Sequence, residues 1–249
     1  MTSSRYAHSR DSKGEVRGPL RPANLVSFAH DEIHRRVMVG ELREGAKIVL
    51  GELARDLGTS MIPVREALAR LTAERLVIYE PNKGFRVAPA PDADEIAHLF
   101  QARLVLELGA LEVGLARLTR AELDEMRQIN DRIRAQTYGT GFEDFQGFIT
   151  DNARFHEIII GLTGNPLVSD AYHRLGYHER IPLTLHGRGV QDVGRIVAEH
   201  DAIIAAMGQS SLEKARAALK AHILDAYERL PGLAPGHSLR SLNASMPAR

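Results

Sequence analysis

Residues 50–87 read LGELARDLGTSMIPVREALARLTAERLVIYEPNKGFRV. Glu52 to Leu57 predicts a short amphipathic helix with Leu53, Ala54 and Leu57 on one side. Gly58 follows, a residue that can take positive φ and turn the chain sharply. Ser60 is placed to cap a second helix by accepting a backbone N–H of its first turn. Pro63 falls within that turn, where a missing N–H removes nothing the helix needs. Val64, Leu68 and Leu71 recur at i, i+4 and i+7 and predict a buried stripe. Leu76 to Tyr79 and Phe85 to Val87 are β-prone runs around the turn signal Pro81-Asn82-Lys83-Gly84. Two short helices joined through a glycine make a helix-turn-helix, and the hairpin adds a two-stranded wing.

Outward from this stretch, Asn24 to Gly40 carries Leu25, Phe28, Ile33 and Val37 at helical spacing, a first helix to pack beneath the other two. Residues 1–23 are rich in Ser, Arg, Gly and Pro without apolar periodicity and predict a disordered tail. Downstream, Ala88-Pro89-Ala90-Pro91 cannot continue a helix and marks a stiff linker at 89–91. From Asp92, a capping residue, only helices are expected: 92–118, 120–136, 142–162, 167–186 with a break near Pro182, 190–207 and 211–230. The tail 231–249 carries Pro, Gly and Ser and is expected to be flexible. The fold class is mainly α: an N-terminal winged helix-turn-helix over 24–88, then an all-α six-helix bundle over 92–230. A bundle of this kind builds ligand and metal sites from inward side chains on facing helices.

Zero cysteines among 249 residues exclude a disulfide framework and a thiolate metal site. No apolar run approaches the ~18 residues of a membrane helix, and the N-terminus is too polar for a signal peptide. A soluble cytoplasmic protein without a membrane partner is the expectation. Net charge is zero but unevenly spread. Residues 1–88 hold 15 Lys and Arg against 11 Asp and Glu, a net of +4; residues 89–249 hold 17 against 21, a net of −4. A basic module joined to an acidic one suits a nucleic-acid-binding head on a regulatory body.

The run Leu53-Ala54-x-x-Leu57-Gly58-x-Ser60-x-x-Pro63-Val64-Arg65-Glu66-Ala67-Leu68-x-x-Leu71, with Pro81-Asn82-x-Gly84 after it, closely resembles the winged helix of the GntR family of bacterial transcription regulators. The resemblance covers roughly residues 25 to 88. It implies that Arg65 contacts double-stranded operator DNA from the recognition helix, with Ser60, Asn82, Lys83 and Gly84 on the backbone or minor groove. The position of Met61 usually holds a base-reading Arg in relatives, and that of Gly51 holds an Arg in some. The operator should therefore depart from the usual one, with Met61 against a thymine methyl. One winged helix reads too few base pairs for a genome, so a homodimer on a palindrome is expected. Leu104, Leu108 and Leu111 on the first bundle helix are its candidate interface.

In the bundle, Asn152 and His156 stand at i and i+4, His200 and His222 lie on two later helices among apolar residues, and Arg103 interrupts an apolar stripe of Ile96, Leu99, Leu106 and Ala110. Spacing alone is weak evidence when there are 11 histidines. However, Asn152-x-x-Phe155-His156, Gly164-Asn165-Pro166-Leu167, Glu199-His200-x-x-Ile203 and Ala217-x-x-x-Ala221-His222, with Arg103-x-x-x-Glu107, resemble the effector-binding FCD domain of the FadR subfamily. Six helices point to its VanR-like branch. The resemblance implies a divalent metal on Asn152, His156, His200 and His222, with Asn152 standing where the family usually has Asp. Three imidazoles suit Zn or Ni. An open coordination position would accept a small carboxylate effector, with Arg103 as its second anchor. Glu107, one turn on, is an alternative partner for Arg103.

Together these imply a ligand-responsive regulator, a repressor released by a small organic acid, and not an enzyme. The alternatives are a metal-dependent hydrolase, since three His and an open position also describe catalytic zinc, or a direct metal sensor. The hydrolase needs a general base, and Glu157 and Glu199, although adjacent to histidines, are expected to point off the ligand face.

Overall fold

The computed structural model describes residues 22–230 and Leu239. The remaining residues of the expected tails, 1–21 and 231–249, lie outside the described residues. The chain divides into two compact units between Pro89 and Ala90.

In the first unit, α1 (Pro22–Met38) starts within the expected tail. It buries Val26, Ala29, Ile33 and Val37, whereas Phe28, expected inside, is 45% exposed. This helix packs against α3 (Met61–Ala73), which follows α2 (Leu50–Asp56) across Gly58 at φ 61°. Val64, Ala67, Leu68 and Leu71 of α3 have no exposed surface. Ser60 takes the expected N-cap position, but its side chain does not make the expected capping bond. The wing pairs β2 (Val77–Glu80) with β3 (Gly84–Val87) around Asn82 at φ 65° and Gly84 at φ 87°. The expected two strands are three: β1 (Lys47–Ile48) adds to the far side of β3, in the order β1-β3-β2. Two residues are too short a run to read as a strand, and its partner lies nearly 40 residues away.

The second unit is α-helical: α4 (Ala93–Gly114) with a 3-10 turn at Leu115–Arg117, α5 (Arg120–Ala135), α6 (Phe142–Gly161), α7 (Pro166–His173), α8 (Tyr177–Thr184), α9 (Val193–Gly208) and α10 (Leu212–Glu228). Asp92 caps α4 by accepting from the Glu95 N–H at 2.8 Å. Thr119 and Glu122 close a capping box on α5. The expected fourth helix is two, giving seven helices among the described residues, so a count of six no longer marks a branch of the family. The break falls at Gly176, left-handed at φ 63°, while Pro182 sits inside α8 without ending it. Gly187 at φ 69° bounds α8 on its other side.

Neighbouring pairs α9–α10, α4–α10, α5–α9, α5–α6 and α4–α6 enclose one core around Phe100, Leu111, Ile129, Phe155 and Ile203. Leu104 and Leu111 belong to this core, at 6% and 0% exposure, which removes them from the expected dimer face. The apolar side chains that α4 does expose are Val105 and Val113, at 63% and 62%. Leu239 is buried against the same core. No helix among the described residues is long and apolar enough to cross a membrane.

Candidate functional site

Three helices of the second unit each turn one histidine inward. His156 on α6, His200 on α9 and His222 on α10 are buried, and one nitrogen from each lies within 4.8 Å of the others. Each Nδ1 meets an oxygen: His156 at 2.7 Å from Glu107 Oε2, His222 at 2.8 Å from Glu199 Oε2, His200 at 3.2 Å from Asn130 Oδ1. A carboxylate accepts only, so Nδ1 of His156 and of His222 donates and the lone pair falls on Nε2. Asn130 is itself fixed, its Nδ2 donating to Val197 O at 3.0 Å and to Asp201 Oδ1 at 2.8 Å, so its oxygen must face His200.

The Nε2 atoms turn toward one another, those of His156 and His222 standing 3.3 Å apart. Two nitrogens around a tetrahedral zinc stand roughly 3.4 Å apart. Nε2 of His200 is buried with no hydrogen-bond partner among the described residues. An orphaned buried nitrogen is costly unless something occupies its lone pair. Imidazoles oriented from behind by oxygens, with their lone pairs converging, are the arrangement that ligates a metal, and the donor set fits a divalent ion of zinc type.

Burial pushes the His156 imidazole down to about 4, against the pull of Glu107. Burial lowers His200 and His222 as well, so the three stay neutral, as ligands must. Burial opposes ionisation of Glu107, yet Arg103 and His156 hold its carboxyl well below the usual carboxylate range.

Arg103, buried at 1% exposure, has a partner inside the protein: its Nε donates to Glu107 Oε1 at 2.7 Å. Its guanidinium lies 4.1 Å from the Tyr177 ring centroid, and Nη2 is 3.1 Å from Nε2 of His156. The alternative partner thus holds, and Arg103 brings no uncompensated charge. Asn152 is half-buried on α6 and borders the cavity beside the histidines. Asp151 turns away to Arg132 at 2.5 Å. Glu199, expected to point off the ligand face, instead reaches across to His222 and is gripped by Arg229 at 2.6 and 2.8 Å. Sequence reasoning missed Asn130, Tyr172 and His178. Tyr172 Oη donates to Glu107 Oε1 at 3.2 Å and lies 3.1 Å from His178 Nε2.

A cavity of about 80 Å³ adjoins the cluster, lined by Arg103, Asn152, His178 and His222 together with apolar side chains of α6, α8 and α10. In the first unit, the N-terminal turn of α3 presents Ser60, Met61, Ile62 and Arg65 to solvent, with Ile62 72% and Met61 54% exposed. Asn82 and Lys83 stand exposed at the wing tip, Lys83 paired with Glu80 at 2.9 Å. Gly84 is half-buried there.

Residues 25–87 match the bacterial regulatory proteins of the gntR family, and residues 98–225 match the FCD domain. The chain belongs to the GntR family, with an FCD domain. It is 30% identical over 217 residues to an HTH-type transcriptional regulator of Streptomyces ambofaciens, covering 82% of this chain and 85% of that one. It is 26% identical over 159 residues to the HTH-type transcriptional regulator McbR of Escherichia coli K12, covering 64% and 70%. The solved structure of E. coli McbR/YncC superposes with a TM-score of 0.65 over 82% of this chain and 95% of that one, at 23% identity. This GntR chain is therefore a DNA-binding transcriptional regulator. Its families and relatives are regulators, not enzymes, and they lend the hydrolase alternative no support.

Proposed function

We propose that this regulator is a repressor released from its operator by a small carboxylate that binds at a divalent ion, Zn or Ni, in the bundle. The observation that carries the reading is the convergence of three oriented imidazole nitrogens, one of them an orphan, beside a cavity. His156, His200 and His222 are the ligands, with Asn152 the candidate fourth. An amide oxygen at that position adds no negative charge, which leaves the site's charge to the ion. Arg103 borders the ligand and orients it through its remaining N–H donors, while its charge is balanced by Glu107.

The head, acting in the cytoplasm, binds double-stranded DNA through Ser60, Met61, Arg65, Asn82, Lys83 and Gly84. Exposure of the first turn of α3 and of the wing tip supports this assignment. A homodimer on a palindromic operator supplies the length of sequence read. Its face on α4 is now Val105 and Val113, eight residues apart on one side of the helix, with Gly109 between them permitting close approach.

The test combines metal analysis of the purified protein with a gel-shift titration. The proposal expects about one ion per chain, and operator release by an acid only while the ion is bound. Release by metal alone, with no acid present, would favour the direct metal sensor.

A further inference from the structure

The cavity has a direction. Along α8, Tyr177 and His178 stand at the Arg103 end; Ile181 follows one turn on and Leu185 two turns on. Along α10, His222 is followed at the same intervals by Ala226 and Leu230. Along α6, which is read backwards from His156, Asn152 comes one turn away and Phe148 two. Three helices thus change together from nitrogen-bearing to hydrocarbon side chains over about two turns, roughly 11 Å. Arg229, which also lines the cavity, has both its terminal nitrogens on Glu199, the carboxylate that meets His222, and offers no net charge. Arg103 is balanced by Glu107 in the same way. A divalent metal bound to the three histidines would therefore bring the net positive charge to that end of the cavity.

We propose that the effector is an amphiphilic monocarboxylate, its carboxylate toward the three-histidine end and a short hydrocarbon body against Ile181, Leu185 and Leu230. This rests on the reading of the bundle as a carboxylate site and narrows the class of acid. The volume, about 80 Å³, is several times the ~10–15 Å³ that seats one water, which limits the body to a handful of carbons. A polyhydroxylated acid would bury most of its hydroxyls against Ile181, Leu185 and Leu230, which offer no partner and leave Gln191 to serve only one or two, and the hydrocarbon acid would not.

The experiment uses the full chain loaded with Zn. Binding of straight-chain acids from acetate to hexanoate, of gluconate and of hexanol is measured by calorimetry and thermal shift. The expected result is an affinity that rises about fourfold per added methylene until the cavity fills. Hexanoate outcompetes gluconate by at least tenfold, hexanol binds far more weakly than hexanoate, and chelation removes acid binding. Leu185→Gln, at the end away from the histidines, flattens the chain-length dependence while metal content is unchanged. Gluconate binding as tightly as hexanoate, or affinity indifferent to chain length, overturns the amphiphilic class and leaves the carboxylate site standing. No response to any acid by a protein that holds its metal overturns the carboxylate reading itself, and this inference with it.

Discussion

At the scale of the residue, the proposed metal site depends on groups that would not touch the ion. Asn130 fixes the plane and tautomer of His200 from α5, 70 residues away in sequence. Asn130→Ala should lower metal affinity 10- to 100-fold without removing a ligand, as loss of an outer partner does elsewhere. Competition against a zinc-sensitive dye would show this, and an unchanged affinity would mean that the ring is held by packing on Phe155, 3.9 Å away, alone. Gly114 makes a second claim of the same size. A Cβ there would stand 2.5 Å from the backbone of Leu162, where nothing can yield cheaply. Gly114→Ala should cost the bundle ~1–3 kcal/mol, read from its denaturation midpoint. On the head, Arg65→Ala should weaken operator binding by ~1–3 kcal/mol at fixed salt if the guanidinium pairs with guanine. Unchanged binding in a gel-shift titration would take Arg65 out of the interface.

Elements show where sequence reading works and where it stops. The buried stripe of α3 and the ends of α4, α5 and α6 were legible because capping residues and apolar spacing are local signals. The third strand, the break at Gly176 and the burial of Leu104 and Leu111 were not, because each is decided by a partner distant in sequence or by a backbone angle. Likewise, the three histidines could be found by motif, but Glu107 and Glu199 took their roles from helix packing. One clip between elements gives a pH prediction. His30 on α1 meets Glu74 at the end of α3 at 2.9 Å, and that bond raises the imidazole to about 8. A raised folded value means that the stabilisation is complete below about 6.5 and is lost as pH rises through about 8. The head should therefore melt at lower temperature at pH 9 than at pH 6, and His30→Gln should remove most of that difference. The exposed pair on α4 gives another: Val105→Glu with Val113→Glu should convert a dimer to monomers in light scattering while leaving the helix content intact.

At the scale of the whole molecule, two units with separate cores imply two sources of stability. Saturating the three-histidine site at 100 times its dissociation constant adds ~2.7 kcal/mol, and only to the unit that holds it. Calorimetry with and without chelator should thus move one melting transition and leave the other in place. The helix α8 has a consequence of a different kind. It supplies a wall of the cavity, is eight residues long, includes a proline that has no N–H, and hangs between left-handed glycines at 176 and 187. It is tied to the body by Arg180, bound to Glu95 at 2.6 and 3.1 Å, by His178 on Tyr172 and by the buried Tyr177 and Ile181. A short segment between two left-handed glycines is expected to open as one piece before α4, α5, α9 and α10 do. If α8 is the way out of the cavity, the protein contains a clock, and a bound molecule should leave no faster than α8 opens. Amide protons of α8 should exchange with deuterium together and ahead of the other helices, and Glu95→Gln should quicken that exchange and ligand dissociation by the same factor.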